Sequence, residues 1–507
     1  MAERLPWSET GWSRIAAAHV EEQLPEALQA PGLSTHPGPV REAMPESLVA
    51  ALSASPRPEL RRSWERLADP KARVVVTGQQ PGCAGGVLLV LYKAATAVAL
   101  ARRAERARGS PVVPVFWNAT DDVDFDEIAR VGWPDAHGNL LFLELPRASR
   151  RSQAWVGDLP AEGDAKATRA AVEMLAPSAR RQVEALLPEN AADHGEWVGL
   201  FLHNLLPELA ILDARNPALR ACAAPLFKRY LEMHEHAARL VEESSRRLEA
   251  AGFERVLSAA STRMALFLMH QGQRLKVDGD PAPLLQALDN SPESVAPNVM
   301  LRPLVQDLLL PVIATVVGPA EIGYLLQLRA VRAALEVPEP AVVPRLTLTL
   351  LEKAGWEAGR KLRIPAAALL ADDDRVLRDV ARARGSAQLQ DVDAAFEALS
   401  NALQPLQQDG AYATGVTRAL KRTRGVRADL ERHVEDVALQ KLLAEEPGLA
   451  ALQTCVRPRG RAQERVLAVL WLLARWGRDT GPRLLELAEA HLDALERRAL
   501  EHQIVVD

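Results

Sequence analysis

Apolar and polar positions in the first third of the chain switch between two periods. Residues 73–77, Arg-Val-Val-Val-Thr, hold an unbroken apolar run of strand length, while 87–107 place apolar residues at three- and four-residue spacing, the repeat of a helix face. A second short run, Pro111-Val112-Val113-Pro114-Val115-Phe116-Trp117, follows. Strand, helix and strand in this order predict a βαβ unit, and so a parallel sheet. Sheet character returns at Leu209–Asp213 and at 311–317, each a short apolar run.

Two stretches interrupt that sheet pattern. Residues 127–205 read as short strands punctuated by Gly132, Gly138 and Gly157, then as helix from Ala161 to Leu187; residues 255–300 hold a hairpin pattern, Met264–Leu268 and Arg274–Val277 around Gly272. Beyond 364 nearly everything is helical, over 387–407, 417–444 and 463–501, with Pro447 and Pro458 as breaks. Long helices of this kind pair with one another. The expected division is therefore a body over 1–364 with insertions near 127–205 and 255–300, and a helical domain over 365–507.

The turn between the first strand and the helix is Thr77-Gly78-Gln79-Gln80-Pro81-Gly82-Cys83-Ala84-Gly85-Gly86. Its glycines permit close ligand approach, and the first amides of the helix lack acceptors and carry the positive end of the dipole, so an anion or a polar nucleotide edge is the expected occupant. The spacing is neither G-x-G-x-x-G nor the phosphate-loop pattern, since Lys93 comes too late, and a plain structural turn stays open. Cys83 is either a reactive thiol of that turn or a small apolar filler.

The second strand runs into Trp117-Asn118-Ala119-Thr120-Asp121-Asp122-Val123-Asp124-Phe125-Asp126-Glu127. Acids at the carboxyl edge of a parallel sheet stand where open α/β folds place ligands. A calcium loop is excluded, because Glu127 occupies the required glycine position and Trp133 that of the closing glutamate. The carboxylates suit an amine, a proton or water-bridged magnesium; the alternative is a solvated turn in which Asp124 or Asp126 caps a helix. A third constellation is Leu301-Arg302-Pro303-Leu304-Val305-Gln306-Asp307, followed by Gly318-Pro319-Ala320-Glu321-Ile322. Arg302 offers a planar fork for carboxylate or phosphate, or a structural bridge to Asp307.

Composition narrows the class. The 507 residues are 48% hydrophobic and 25% charged, ordinary for a folded soluble chain with more than one core. A net charge of -5 disfavours nucleic acid as partner. Three scattered cysteines give no zinc or disulfide pattern and suit a reducing cytoplasm, and no apolar stretch is long enough to predict a membrane span.

The segments 76–82, 114–117 with Asp122, 124–128, 301–307 and 318–322, in this order and spacing, closely resemble the bacillithiol-biosynthesis cysteine-adding enzyme family. Pro344-Arg345, Gln463-Glu464-Arg465 and Trp476-Gly477 extend the likeness. The resemblance implies an α/β fold with a Rossmann-like parallel sheet core, connective-peptide-like insertions and a C-terminal α-helical coiled coil that makes a homodimer. It implies a carbon-nitrogen ligase that joins cysteine to the amine of glucosaminyl-malate through a carboxylate activated by ATP or another nucleotide, with Mg2+ as a candidate and no dedicated protein metal site. On this reading Asp122, Asp124 and Arg302 are the catalytic candidates, and Thr77, Gly78, Gln79, Gln80, Gly82, Gly85, Trp117, Asn118, Gln306, Gly318 and Glu321 the substrate or nucleotide contacts. Val123 stands where the family commonly has histidine. Two alternatives therefore stay open: a non-catalytic nucleotide- or metabolite-binding dimer on the same scaffold, and a ligase for a different amine.

Overall fold

The unbroken valine runs do become buried parallel strands. In the computed structural model, which describes residues 2–7, 13–33, 43–55, 57–135, 139–147, 153–257, 264–277, 279–370 and 375–507, strands Arg73–Gln79 (β1), Val112–Asn118 (β2), Ala210–Asp213 (β3), Val312–Val317 (β4) and Ala341–Pro344 (β5) form one sheet. Their order is β5-β4-β1-β2-β3, all parallel. The chain thus winds outward from β1 in one direction and then restarts on its other side, the Rossmann-like pattern, and the reversal opens a crevice at the carboxyl ends of β1 and β4.

Helix Leu88–Arg108 (α1) crosses from β1 to β2 and ends where Gly109 takes the left-handed conformation at φ 64° and its amide bonds Glu105 O. The first insertion holds the antiparallel pair Arg130–Pro134 and Leu140–Glu144 and helix Glu162–Glu173 (α2) before helix His194–Leu205 (α3) leads back to β3. In the second insertion the expected hairpin forms, Leu266–His270 with Gln273–Lys276, and Val295–Pro297 joins it as a third strand. Helix Glu321–Ala334 (α4) follows β4.

Two long helices, Arg375–Gln408 (α5) and Ala413–Glu445 (α6), lie antiparallel, tied by Arg378 to Asp436 at 2.8 Å and Arg427 to Asp393 at 3.1 Å. The third helical stretch differs from expectation. Residues 463–501 split into helices Val469–Trp476 and Thr480–Glu496, broken where Gly477 adopts φ 54°. The run Leu467–Leu473 is too apolar for a solvated hairpin and is buried in the main core, and Glu501–Val506 adds a strand between Ala2–Pro6 and Leu348–Leu351. The end of the chain therefore returns to the sheet body. Among the described residues no helix is long and apolar enough to cross a membrane.

Candidate active site at the sheet crevice

The turns after β1 and β4 meet over that crevice and divide it in two. A larger cavity of about 570 Å³ and a smaller one of about 190 Å³ share Gln79, Gln80, Glu321 and Tyr324 as a common wall. Lys93, one turn into α1, braces the wall from below. Its ammonium donates to Gly78 O at 2.9 Å, Gln79 Oε1 at 2.9 Å and Glu321 Oε2 at 2.6 Å, so all three N–H bonds are used. Glu321 also accepts from Gly318 N at 2.5 Å. Burial alone would raise the Glu321 pKa, but the Lys93 charge and hydrogen bond outweigh it and hold the carboxyl below its ordinary value. One ion pair thus ties both turns together.

The smaller cavity carries both signs of charge. Asp122 accepts from Gln80 Nε2 at 2.9 Å and lies 3.9 Å from Arg274, while Arg302 contacts Tyr324 Oη at 3.4 Å and Gln306 Oε1 at 3.5 Å. Asp121 is held by Arg220 at 3.1 Å, whose guanidinium lies over the Trp155 ring. Burial raises the Tyr324 pKa, so its phenol stays a donor. Carboxylates on one wall and guanidinium groups on another suit a zwitterion.

The larger cavity is lined by Arg130, Arg345, Arg459, Arg461 and Arg465 as well as Lys93. Arg345 is buried and bidentate to Glu464, and Arg459 and Arg130 lie over the Phe142 ring at 4.4 and 5.2 Å.

Of the expected site residues, Gly78, Gln79, Gln80, Gly82, Asp122, Arg302, Gly318 and Glu321 line these two cavities. Six others do not. Thr77 spends its hydroxyl on Val316 O at 2.8 Å, Asn118 donates to Gly195 O at 2.9 Å, and Gln306 donates to Asp307 at 3.0 Å. Trp117 is buried behind Gly78, where a Cβ would stand 2.7 Å from Trp117 O, and Gly85 at φ 89° packs under Phe201. Asp124 caps the short helix Phe125–Ile128 by accepting from Glu127 N at 3.2 Å. Asp307 pairs with Arg332 at 2.7 Å rather than with Arg302.

Part of the expected amide cradle is spent within the protein. The amide of Leu88 bonds Leu467 O, those of Gly85 and Gly86 bond within their own turn, and Ala84 N donates to Asp164 Oδ1 at 2.9 Å. These donors are occupied by the protein itself. Cys83 is buried, which pushes its thiol pKa well up and leaves it a filler. Positive charge comes instead from the arginines of 459–465, of which the sequence reading named Arg465 alone, as part of the family likeness and not as a site residue. The signal was there: three arginines in seven residues just before an apolar run.

A family model described as "Bacillithiol biosynthesis BshC, N-terminal Rossmann-like domain" matches residues 18–346. Relatives named "Putative cysteine ligase BshC" include one from Natranaerobius thermophilus, 27% identical over 314 residues and covering 58% of each chain. Another, from Solibacter usitatus, is 27% identical over 500 residues, 95% of this chain and 92% of that one. A third, from Halalkalibacterium halodurans, is 31% identical over 310 residues, 57% of each. With the family model spanning more than half of the 507 residues, and every strand of the parallel sheet inside that span, the chain belongs to the bacillithiol biosynthesis BshC family.

Proposed function

We propose that the protein is an amide-forming ligase that joins the carboxyl group of cysteine to the amine of glucosaminyl-malate after a nucleotide has activated that carboxyl group. The observation that carries this reading is the pair of adjoining cavities with one shared wall, the smaller of mixed charge and the larger rich in arginine. A volume of about 190 Å³ suits a small amino acid. Asp122 receives its ammonium group, and Arg302 and Arg274 hold carboxyl oxygens, where they also stabilise the charge that develops when the amine attacks. In that attack the new C–N bond forms as the bond to the activating oxygen breaks, the nucleotide's activating group departs with that oxygen and its electron pair, and the amine passes its proton to solvent. Gln79 and Gln80, on the wall the two cavities share, orient the two reactants.

Incubating the protein with cysteine, glucosaminyl-malate, ATP and magnesium yields the condensed thiol by mass spectrometry. No product under these conditions rejects the ligase reading, and a nucleotide-induced thermal shift without product favours the non-catalytic scaffold. A product with another amine but not with glucosaminyl-malate keeps the ligase and changes its acceptor. The same proposal pairs two copies through α5 and α6, where Leu399, Leu406 and Val426 are exposed; a monomer in sedimentation rejects that part.

A further inference from the structure

We infer that the arginine-lined cavity is the seat of a polyphosphate chain, bound by Arg345, Arg459, Arg461, Arg465 and Arg130. The inference deepens the ligase reading, because it assigns the activating nucleotide's phosphates to a place and to residues.

Three observations support it. First, the charge there runs against the whole molecule. The chain carries -5 overall, yet this cavity gathers five arginines and Lys93 against three acids, Asp126, Glu127 and Glu321, of which Glu321 is paired with Lys93 and Glu127 accepts from Gln80. Local concentration of one sign in a concave, partly dry site raises the field felt by an anion. Second, the guanidinium groups are left available. Arg461 and Arg465 make no side-chain hydrogen bond or ion pair to a described residue, and Arg459 and Arg130 rest only on the Phe142 face. Arg459 is held there by a left-handed backbone at φ 53°, a conformation that costs a non-glycine residue about 1 kcal/mol. Third, Arg345 is buried to 1% exposure and its Nε has no partner, although both Nη atoms are bonded. A buried unpaired N–H is costly unless a ligand accepts from it.

Four guanidinium forks that pair with no described acid are more than the two carboxylates of a dicarboxylate can meet in pairs, whereas a triphosphate offers oxygens enough for all four. Arginine's planar fork fits phosphate oxygens in pairs. The cavity, about 570 Å³, is of nucleotide-binding size.

Calorimetric titration of the full chain with sodium tripolyphosphate, at fixed ionic strength and without metal, tests this. Tripolyphosphate binds, Arg459→Ala, Arg461→Ala and Arg465→Ala each weaken it about tenfold, and Arg424→Ala on α6 leaves it unchanged. Because these side chains are exposed, melting temperatures stay at the parent value. Absent binding, or equal binding by all variants, overturns the inference. So does the converse selectivity, in which malate binds, tripolyphosphate does not, and the arginine variants lose malate; the cavity then belongs to the acceptor. If condensation proceeds while tripolyphosphate ignores the arginines, this inference fails and ligation stands. If tripolyphosphate binds as expected without condensation, the ligase reading fails and the phosphate site stands.

Discussion

In the smaller cavity the charged groups are already matched within the chain: Asp122 with Gln80 and Arg274, Asp121 with Arg220, Arg302 with Gln306 and Tyr324. Across the shared wall, Arg459 rests on the Phe142 ring, and neither Arg461 nor Arg465 makes a side-chain ion pair with a described residue. The smaller site is prepared for a ligand that brings both signs and disturbs little, whereas the larger one is complete only when an anion arrives. Their origins differ as well. The smaller is built by the sheet turns and the second insertion, and the larger is closed by a segment more than a hundred residues beyond β5. Two ligands of unlike charge can thus be recognised independently and still meet at Gln79 and Gln80.

The largest expected effect comes from breaking the wall itself. Lys93→Met keeps the length of the side chain but leaves the half-buried Glu321 without its counter-ion, which destabilises by about 1–3 kcal/mol in urea unfolding. Affinity for cysteine and for tripolyphosphate falls together, since Gln79 and Gly318 lose their anchor. Adding Glu321→Gln to Lys93→Met recovers most of the stability, because no charge is then stranded. A cost below about 1 kcal/mol for the single change shows that Lys93 does not brace the wall.

A smaller effect separates the two sides. Asp122→Ala and Arg302→Ala each cut turnover at least roughly tenfold, about 1.4 kcal/mol of transition-state stabilisation, with tripolyphosphate affinity unchanged. Asp124→Ala loses only a cap, about 1 kcal/mol of local helix stability, and leaves turnover within about twofold. Steady-state kinetics beside calorimetry read both. Equal losses at Asp122 and Asp124 indicate a diffuse acidic field instead of a positioned carboxylate.

How much of this was legible follows from where each signal lies. Val74–Val76 and Val112–Val115 announce parallel strands because a sheet covered on both faces needs no polar alternation, and the glycines after them mark a turn. Why Gly78 is glycine was not legible: the constraint is Trp117 O on the neighbouring strand, 2.7 Å from where a Cβ would stand. Packing and ligand approach leave the same residue in a sequence. Asp122 and Arg302 could be chosen because sheet-edge turns collect ligand groups, but Arg459 and Arg461 follow the Pro458 break and Arg465 opens the last helical stretch, so locally none of them signals a ligand. That they close the crevice depends on Leu467–Leu473 burying in the core and on the bridge from Ala468 to Val87, long-range pairings that no local period encodes. The pair of His194 and Asp164 escaped for the same reason, one residue lying on α3 and the other on α2.

That pair supplies the smallest and most selective test, since it fixes the chain on either side of Gly82, which lines the larger cavity and not the smaller. His194 Nδ1 lies 2.6 Å from Asp164 Oδ2 and Nε2 lies 2.9 Å from Pro81 O, while Asp164 Oδ1 takes the amide of Ala84. Both neighbours of the ring are acceptors, and a neutral imidazole has one N–H to give, so the imidazolium is the form that satisfies both. Burial would lower its pKa; the Asp164 charge and hydrogen bond, the Pro81 carbonyl and the charge of Asp193 outweigh that and raise it above 6.5. The native state therefore holds the proton more tightly than the unfolded chain. Its contribution is full below pH 6.5 and is lost as pH rises through the raised native value. In urea unfolding the stability gap between the parent protein and His194→Gln is widest below pH 6.5 and narrows above it; a gap that does not change with pH shows that the ring is neutral. Gly82 lines the larger cavity and not the smaller, so tripolyphosphate binding weakens over the same rise in pH while cysteine binding holds. Phosphate groups gain negative charge in that range, which by itself strengthens their hold on arginine. A fall in affinity thus runs against the ligand's own titration and traces to the histidine, and its absence in His194→Gln completes the assignment.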